Sequence, residues 1–196
     1  TSPGECVVQD DMAELLQKYE EAEIIIWATP LYQCGISSVM KKFMERTTPT
    51  LLPFIDSEGK GTYGRPYRNP EKMGNKRHVL ISTCGLPTTK RNYEGVEAQF
   101  NNLFGEGKWE KIFCIEGELL GITQLDGLTA PYLDLVKAAG KEYREHSEIP
   151  ENIRAGLAKP FIEIPAYLKT ANLSWGIDDT RMKDMDGGLM AWGYMK

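Results

Sequence analysis

Two short stretches combine the residue types needed to hold a flat, partly polar ring. One is Thr29-Pro30-Leu31-Tyr32-Gln33, and the other is Thr83-Cys84-Gly85-Leu86-Pro87. Each offers apolar bulk for the faces of such a ring, plus a hydroxyl and backbone N–H donors for a carbonyl-bearing edge. Each also closes an apolar run, Glu23–Ala28 (EIIIWA) in the first case and His78–Thr83 (HVLIST) in the second. Runs of this kind read as strands of a parallel sheet buried on both faces. As neighbouring strands they would bring the two turns together at their carboxyl ends, where open α/β sheets place ligands.

Other chemistries find little material. There is no P-loop lysine motif, no GxSxG and no HExxH. The two histidines, His78 opening a strand and His146 ending a helix, cannot furnish a histidine triad or a multi-histidine metal site. Cys34 and Cys84 fall in the two turns without an activating neighbour in sequence, so no catalytic residue and no metal ligand is assigned. A formal net charge of −5 argues against a nucleic-acid binder. No apolar run reaches the roughly 18–20 residues that span a bilayer, and no secretory leader is visible. The four cysteines lack a CxxC pair and suit a reducing, cytoplasmic setting.

The elements that must position the turns follow from periodicity. Met12, Leu15, Leu16 and Tyr19 recur at helical spacing, with Asp11 and Glu14 placed as a capping box, which predicts a helix over 11–20. The Asp10-Asp11 pair also suggests the acidic pocket of a phosphorylated receiver domain. That fold wants an Asp after the next strand and a Lys after the last, and neither is present. After the strand ending at Ala28, Pro30 stops it. Gly35, Ser37 and Ser38 supply a turn and caps, and Ile36, Val39, Met40, Phe43 and Met44 form one helical stripe.

Residues 47–77 hold four prolines and four glycines without either periodicity, a length more typical of a lid or binding loop. Within them Tyr63, Arg65, Tyr67 and Arg68 mix aromatics with cations, which suits an anionic ligand, a partner surface, or simple packing over the sheet edge. A helix over 93–104, a strand over 111–116, a helix over 130–145 and a short helix from Pro150 to Leu157 complete the alternation. Strand–helix alternation predicts an α/β fold, a parallel sheet with helices on both faces. The expected division is a domain over 1–160 and a C-terminal extension or partner-contact arm over 161–196, where the pattern weakens into short pieces.

The segment CVVQDDMAELLQKYEEAEIIIWATPLYQCGISSVMKKFMER, continued by HVLISTCGLP and KIFCIEGELLG, resembles the flavodoxin-like, NAD(P)H-dependent FMN reductases, the group that includes iron–sulfur flavoproteins. The resemblance covers most of residues 4–121 and implies an FMN cofactor that takes a hydride from NAD(P)H and passes electrons to a quinone, a flavin or another small acceptor. It places the isoalloxazine ring against Thr29, Pro30, Leu31, Tyr32, Gln33, Thr83, Cys84 and Gly85, and implies a homodimer or higher homo-oligomer. No nucleic acid or membrane partner is expected.

One departure stands out. Family members begin with a strand, a Ser/Thr-rich phosphate loop, a helix and a second strand, and none of these is recognisable here. The strand at Ile24 would then be the family's third, with the N-terminal βαβ portion of the sheet missing. Cys6 resembles the last member of a cysteine cluster in the iron–sulfur proteins, but one such cysteine does not support an iron–sulfur cluster in this chain. Two alternatives stay open: a flavodoxin-like scaffold working through protein contacts, favoured by the aromatic tail with Trp175, Trp192 and Tyr194, and an electron-transfer flavoprotein without NAD(P)H turnover.

Overall fold

The computed structural model describes residues 4–56, 61–62 and 64–177. Gly59, Tyr63 and the tail residues Trp192 and Tyr194 lie outside them. The chain divides into two compact units, Thr1–Lys159 and Pro160–Lys196.

The first unit is built on a three-stranded parallel sheet, with β1 (Ile24–Pro30) beside β4 (Arg77–Thr83) and β4 beside β5 (Trp109–Cys114). The α/β architecture expected from the alternation is the one found. A second, antiparallel pair of very short strands, β2 (Gly61–Thr62) and β3 (Arg65–Pro66), gives the long loop a hairpin of its own. The register Ile25↔His78, Trp27↔Leu80 and Thr29↔Ser82 puts these six side chains on one sheet face. Against that face pack α1 (Met12–Glu21), α2 (Ser38–Glu45) and α4 (Glu94–Phe104): Trp27 meets Tyr19, Phe43, Phe100 and Phe104 in one aromatic cluster. The opposite face is covered by α5 (Asp126–His146) and α6 (Glu151–Leu157), tied down by Arg77 to Tyr143 O at 3.2 Å and Arg154 to Glu110 at 2.6 Å.

β4, paired on both sides, buries His78, Val79, Leu80 and Ser82. β1 differs from the expected strand buried on both faces. It is the sheet's edge, only Trp27 and Thr29 are buried, and Ile26 is 61% exposed. The helices α5 and α6 reach β4 and β5, and the outer side of Ile24–Ala28 is left as the floor of an open groove of about 540 Å³ walled by Leu15, Val39 and Met40. The strand also runs on through Pro30, because an edge position facing away from the ladder needs no N–H there.

Other boundaries shift for local reasons. The third strand starts at Trp109, two residues early, since Trp109 pairs with His78 and packs against Phe100. Glu116 does not extend it: its φ of +54° turns the chain out of the sheet, and Gly117–Gly121 continues as a 3-10 turn. The helix expected from residue 130 begins at Asp126 and contains Pro131.

At the start of α1, Asp11 makes no capping bond. Its neighbour Asp10 accepts from Met12 N at 3.1 Å and so relieves one of the orphan donors of the first turn. At the other end of α1, Lys76 Nζ donates to Glu20 O (2.9 Å) and Ala22 O (2.5 Å), placing a cation where the helix presents unsatisfied carbonyls. In the second unit, α7 (Ile164–Ser174) is an ordered helix where only short pieces were expected. Pro165 sits in its first turn, where a missing N–H costs nothing.

Candidate functional site

The two turns expected to hold the ring are joined at their base. Pro30 is registered with Thr83, and Leu31 N donates to Thr83 O at 2.8 Å, so the chain leaving β1 is fastened to the end of β4. From there Tyr32 N donates to Gly35 O and Gly35 N to Tyr32 O, both at 2.9 Å, which closes a two-residue hairpin turn. Its central residues, Gln33 (φ +50°) and Cys34 (φ +57°), both adopt the left-handed conformation that such turns require. Glycine or asparagine normally fills these places, and two other residues in that region cost about 1–2 kcal/mol each. Replacing Gln33-Cys34 by Asn-Gly is expected to raise the unfolding free energy by about 1–2 kcal/mol. Urea denaturation checks this, and an unchanged or lowered midpoint would show that the turn stores no strain.

The eight predicted positions separate into two groups. Tyr32 (65% exposed), Gln33 and Pro30 face outward, with Leu31, Thr83 and Gly85 half-buried beside them, and together they make an open shelf. Thr29 and Cys84 instead turn inward. Thr29 Oγ1 donates to Pro30 O and accepts from Ser37 N, both at 3.0 Å, so its hydroxyl holds the entry of α2 rather than a ligand edge. Ser37 then caps α2 by accepting from Met40 N. Cys84 Sγ lies 3.6 Å from Leu86 O within the buried core.

Beneath the second turn, Tyr93 OH donates to Ser82 Oγ at 3.1 Å, and the Tyr93 ring stacks on Phe113 at 3.9 Å. Burial holds the Tyr93 hydroxyl protonated, well above its ordinary range. The shelf therefore rests on a neutral, closely packed foundation.

Two features were not visible in the sequence. The first is Glu118: the space that a Cβ on Gly85 would take is held by the Glu118 carboxylate, which therefore lies over the shelf. The second is the environment of Cys6. Arg46 Nη2 donates to Cys6 Sγ at 3.1 Å while the same guanidinium grips Asp10 through two bonds of 2.7 Å. The Arg46 hydrogen bond, and then one from the Val8 backbone, lower the Cys6 thiol below its usual range. Forty positions separate Cys6 from Arg46, so no local motif announces the pair.

One glycine pattern is present in the sequence itself and has a different meaning in the structure. Gly59-Lys60-Gly61-Thr62-Tyr63-Gly64 matches the GxGxxG spacing of dinucleotide loops. That motif needs a preceding strand and a following helix, whereas Gly61 and Thr62 belong to a hairpin; Gly59, Lys60 and Tyr63 lie outside the described residues. Among the described residues there is no cluster of three or more potential metal ligands, and no helix is long and apolar enough to cross a membrane.

Residues 1–92 match the family model described as NADPH-dependent FMN reductase. An iron-sulfur flavoprotein of Archaeoglobus fulgidus is 44% identical over 46 residues, which are 24% of this chain and 21% of that protein. One from Methanocaldococcus jannaschii is 39% identical over 51 residues, 26% of each. The matched segment thus spans about a quarter of the curated relatives.

Among solved structures, the Trp repressor binding protein from Bacillus subtilis aligns with a TM-score of 0.43 and 22% identity, covering 58% of this chain and 66% of that one. An FMN-dependent NADH-azoreductase from Bacillus anthracis, in complex with FMN, aligns with a TM-score of 0.36 and 23% identity over 54% of this chain and 50% of that one. The 92 residues that match the NADPH-dependent FMN reductase model carry β1, α2 and both turns, Thr29–Gln33 and Thr83–Pro87.

Proposed function

We infer that this chain supplies the ring-binding shelf of an FMN-dependent oxidoreductase. The donor is NAD(P)H, and the acceptor is a quinone, a free flavin or another small molecule. The observation that carries the reading is the fusion of the two turns through Leu31 N and Thr83 O, inside the family-matched residues. Bound flavin supplies hydride and electron transfer, and the protein positions it and shields it from water.

The residues present fit the ring. Tyr32 and Leu31 offer apolar faces, Thr83 a hydroxyl, and Gly85 a close backbone approach. No side chain on the shelf is assigned a proton-transfer role. A homodimer or higher homo-oligomer is part of the same reading, supported by the open apolar edge of β1, a surface that soluble proteins seldom leave uncovered.

Titration with FMN, followed by flavin fluorescence, tests the proposal directly. Saturable quenching is expected, weakened about tenfold or more by Gly85→Val, which pushes the shelf apart. Because Glu118 lies over Gly85, Glu118→Ala is expected to tighten FMN binding severalfold, on the order of 1 kcal/mol. Consumption of NADPH or NADH in the presence of FMN and a quinone then separates turnover from electron transfer alone. Absence of any quenching would overturn the reading in favour of a scaffold acting through protein contacts.

A further inference from the structure

We propose that Arg46, Arg65 and Arg68 form a binding site for a phosphate-bearing small molecule, built from residues 4–7, 46–53 and 65–68. Three guanidinium groups converge on one pocket of about 270 Å³, in a chain whose formal net charge is −5. Backbone bonds at Nε occupy part of Arg65 and Arg68, and Asp10 occupies Arg46, which leaves the terminal forks of Arg65 and Arg68 unspent.

Two of the three are fixed by the backbone. Arg65 Nε donates to Leu52 O at 2.8 Å, and Arg68 Nε donates to Pro49 O at 3.0 Å. With Nε anchored, the planar fork at the far end of each side chain is held ready, and among the described residues it meets no carboxylate. Pre-placed forks of this kind lose little freedom when they receive an anion.

Arg46 contributes differently. Its two terminal nitrogens are taken by Asp10 and Cys6, but its Nε is buried without a hydrogen-bond partner. That Nε has no accessible surface, so Arg46 gives the wall positive charge rather than a further donor to the anion. Gly4 (φ +96°) completes the wall by lying flat on the Arg68 guanidinium, where a Cβ would come within 3.1 Å of Nε.

Glu5 is the carboxylate on the same wall, and with Asp10 spent on Arg46 the pocket keeps an excess of positive charge. Val7, Leu51 and Pro53 make the remaining surface apolar, which suits an organic phosphate better than a bare ion. A phosphoryl group brings three acceptor oxygens to the two forks, whereas a monocarboxylate offers two.

Cys6 gives a local readout, because it lines this pocket with its Sγ bonded to Arg46, while the exposed Cys34 lies on the hairpin turn after β1 and serves as internal reference. The full chain is alkylated with iodoacetamide in the presence of inorganic phosphate, acetate or chloride at matched ionic strength, and the rate at each cysteine is read by mass spectrometry. Phosphate is expected to slow Cys6 alkylation saturably at millimolar concentration, with Cys34 unchanged and with acetate and chloride without effect. The double variant R65Q/R68Q is expected to raise the half-protecting concentration about tenfold. Arg65→Lys, which keeps the charge but loses the fork, falls between the two and guards against loss of fold, as does an unchanged Cys34 rate. Equal protection by chloride, no protection by phosphate, or protection unaltered in R65Q/R68Q would each overturn the assignment.

Discussion

Replacing Phe100 with alanine is expected to lower the unfolding free energy by about 3–5 kcal/mol, the cost of emptying a fully enclosed aromatic site. Phe100 has no exposed surface and stands at the meeting point of three other rings: Trp27 at 6.3 Å, Phe104 at 5.4 Å and Trp109 at 5.0 Å. These come from β1, α4 and β5, so a collapse around the vacated space would have to move two strands and a helix at once. Partial relaxation is therefore poor, and the cost sits in the upper part of the usual range.

Domains of this size are stable by about 5–15 kcal/mol, so the variant loses a large fraction of its margin. Denaturant titration at constant slope measures it. Val39→Ala, at a position 71% exposed, is the matched control and should change stability by no more than about 0.5 kcal/mol. Should the two variants behave alike, the aromatic cluster would not be the core that holds the shelf.

The second large effect is one of pH. His78 is buried between Trp27 and Phe104, stacked on the latter at 3.8 Å, and accepts a hydrogen bond at Nδ1 from Trp27 Nε1 at 3.2 Å. That bond requires a neutral ring. Desolvation, with a smaller contribution from nearby Lys76, lowers its pKa to about 4. The unfolded chain takes up this proton near the ordinary histidine value of about 6.5, while the folded chain refuses it until about pH 4. Stability from this group is thus complete above pH 6.5 and is lost as the pH falls through that window. The loss amounts to about 2 kcal/mol at pH 5 and about 3 kcal/mol below pH 4. Unfolding measured at pH 7.5 and pH 5, compared with His78→Gln, isolates the effect from the carboxylates. The variant keeps an acceptor for Trp27 but has nothing to titrate, so the difference between the two proteins should shrink toward acid. A parallel pH dependence in both would assign the loss elsewhere.

The sequence made some of this legible and concealed the rest, for physical reasons. Two apolar runs joined by a helix and a long loop had one economical arrangement, adjacent parallel strands, and that brought Leu31 to Thr83. The burial of β1 was misjudged because a continuous apolar run reports what a strand is suited to, not whether both its sides are covered. Thr29 and Cys84 looked like ligand contacts because strand ends were read without the alternation that sends every second side chain inward. The helix α7 was not read because the periodicity weakens beyond residue 160, although Pro165 at a first-turn position is compatible with a helix. The Cys6–Arg46–Asp10 triangle and the carboxylate of Glu118 over Gly85 depend on contacts between distant segments, which no spacing rule reports.

The sheet's two borders are chemically unlike. Along β5, Glu110 is engaged by Arg154 and Lys111 by Glu97, so any strand arriving there would have to break ion pairs. Along β1 the border is isoleucine and alanine, with nothing charged on the strand itself. The sheet therefore offers an arriving strand unlike company at its two borders: apolar side chains beside β1 and charged, paired ones beside β5. This asymmetry means that a single substitution on the permissive side, Ile26→Lys, would give the molecule two guarded borders.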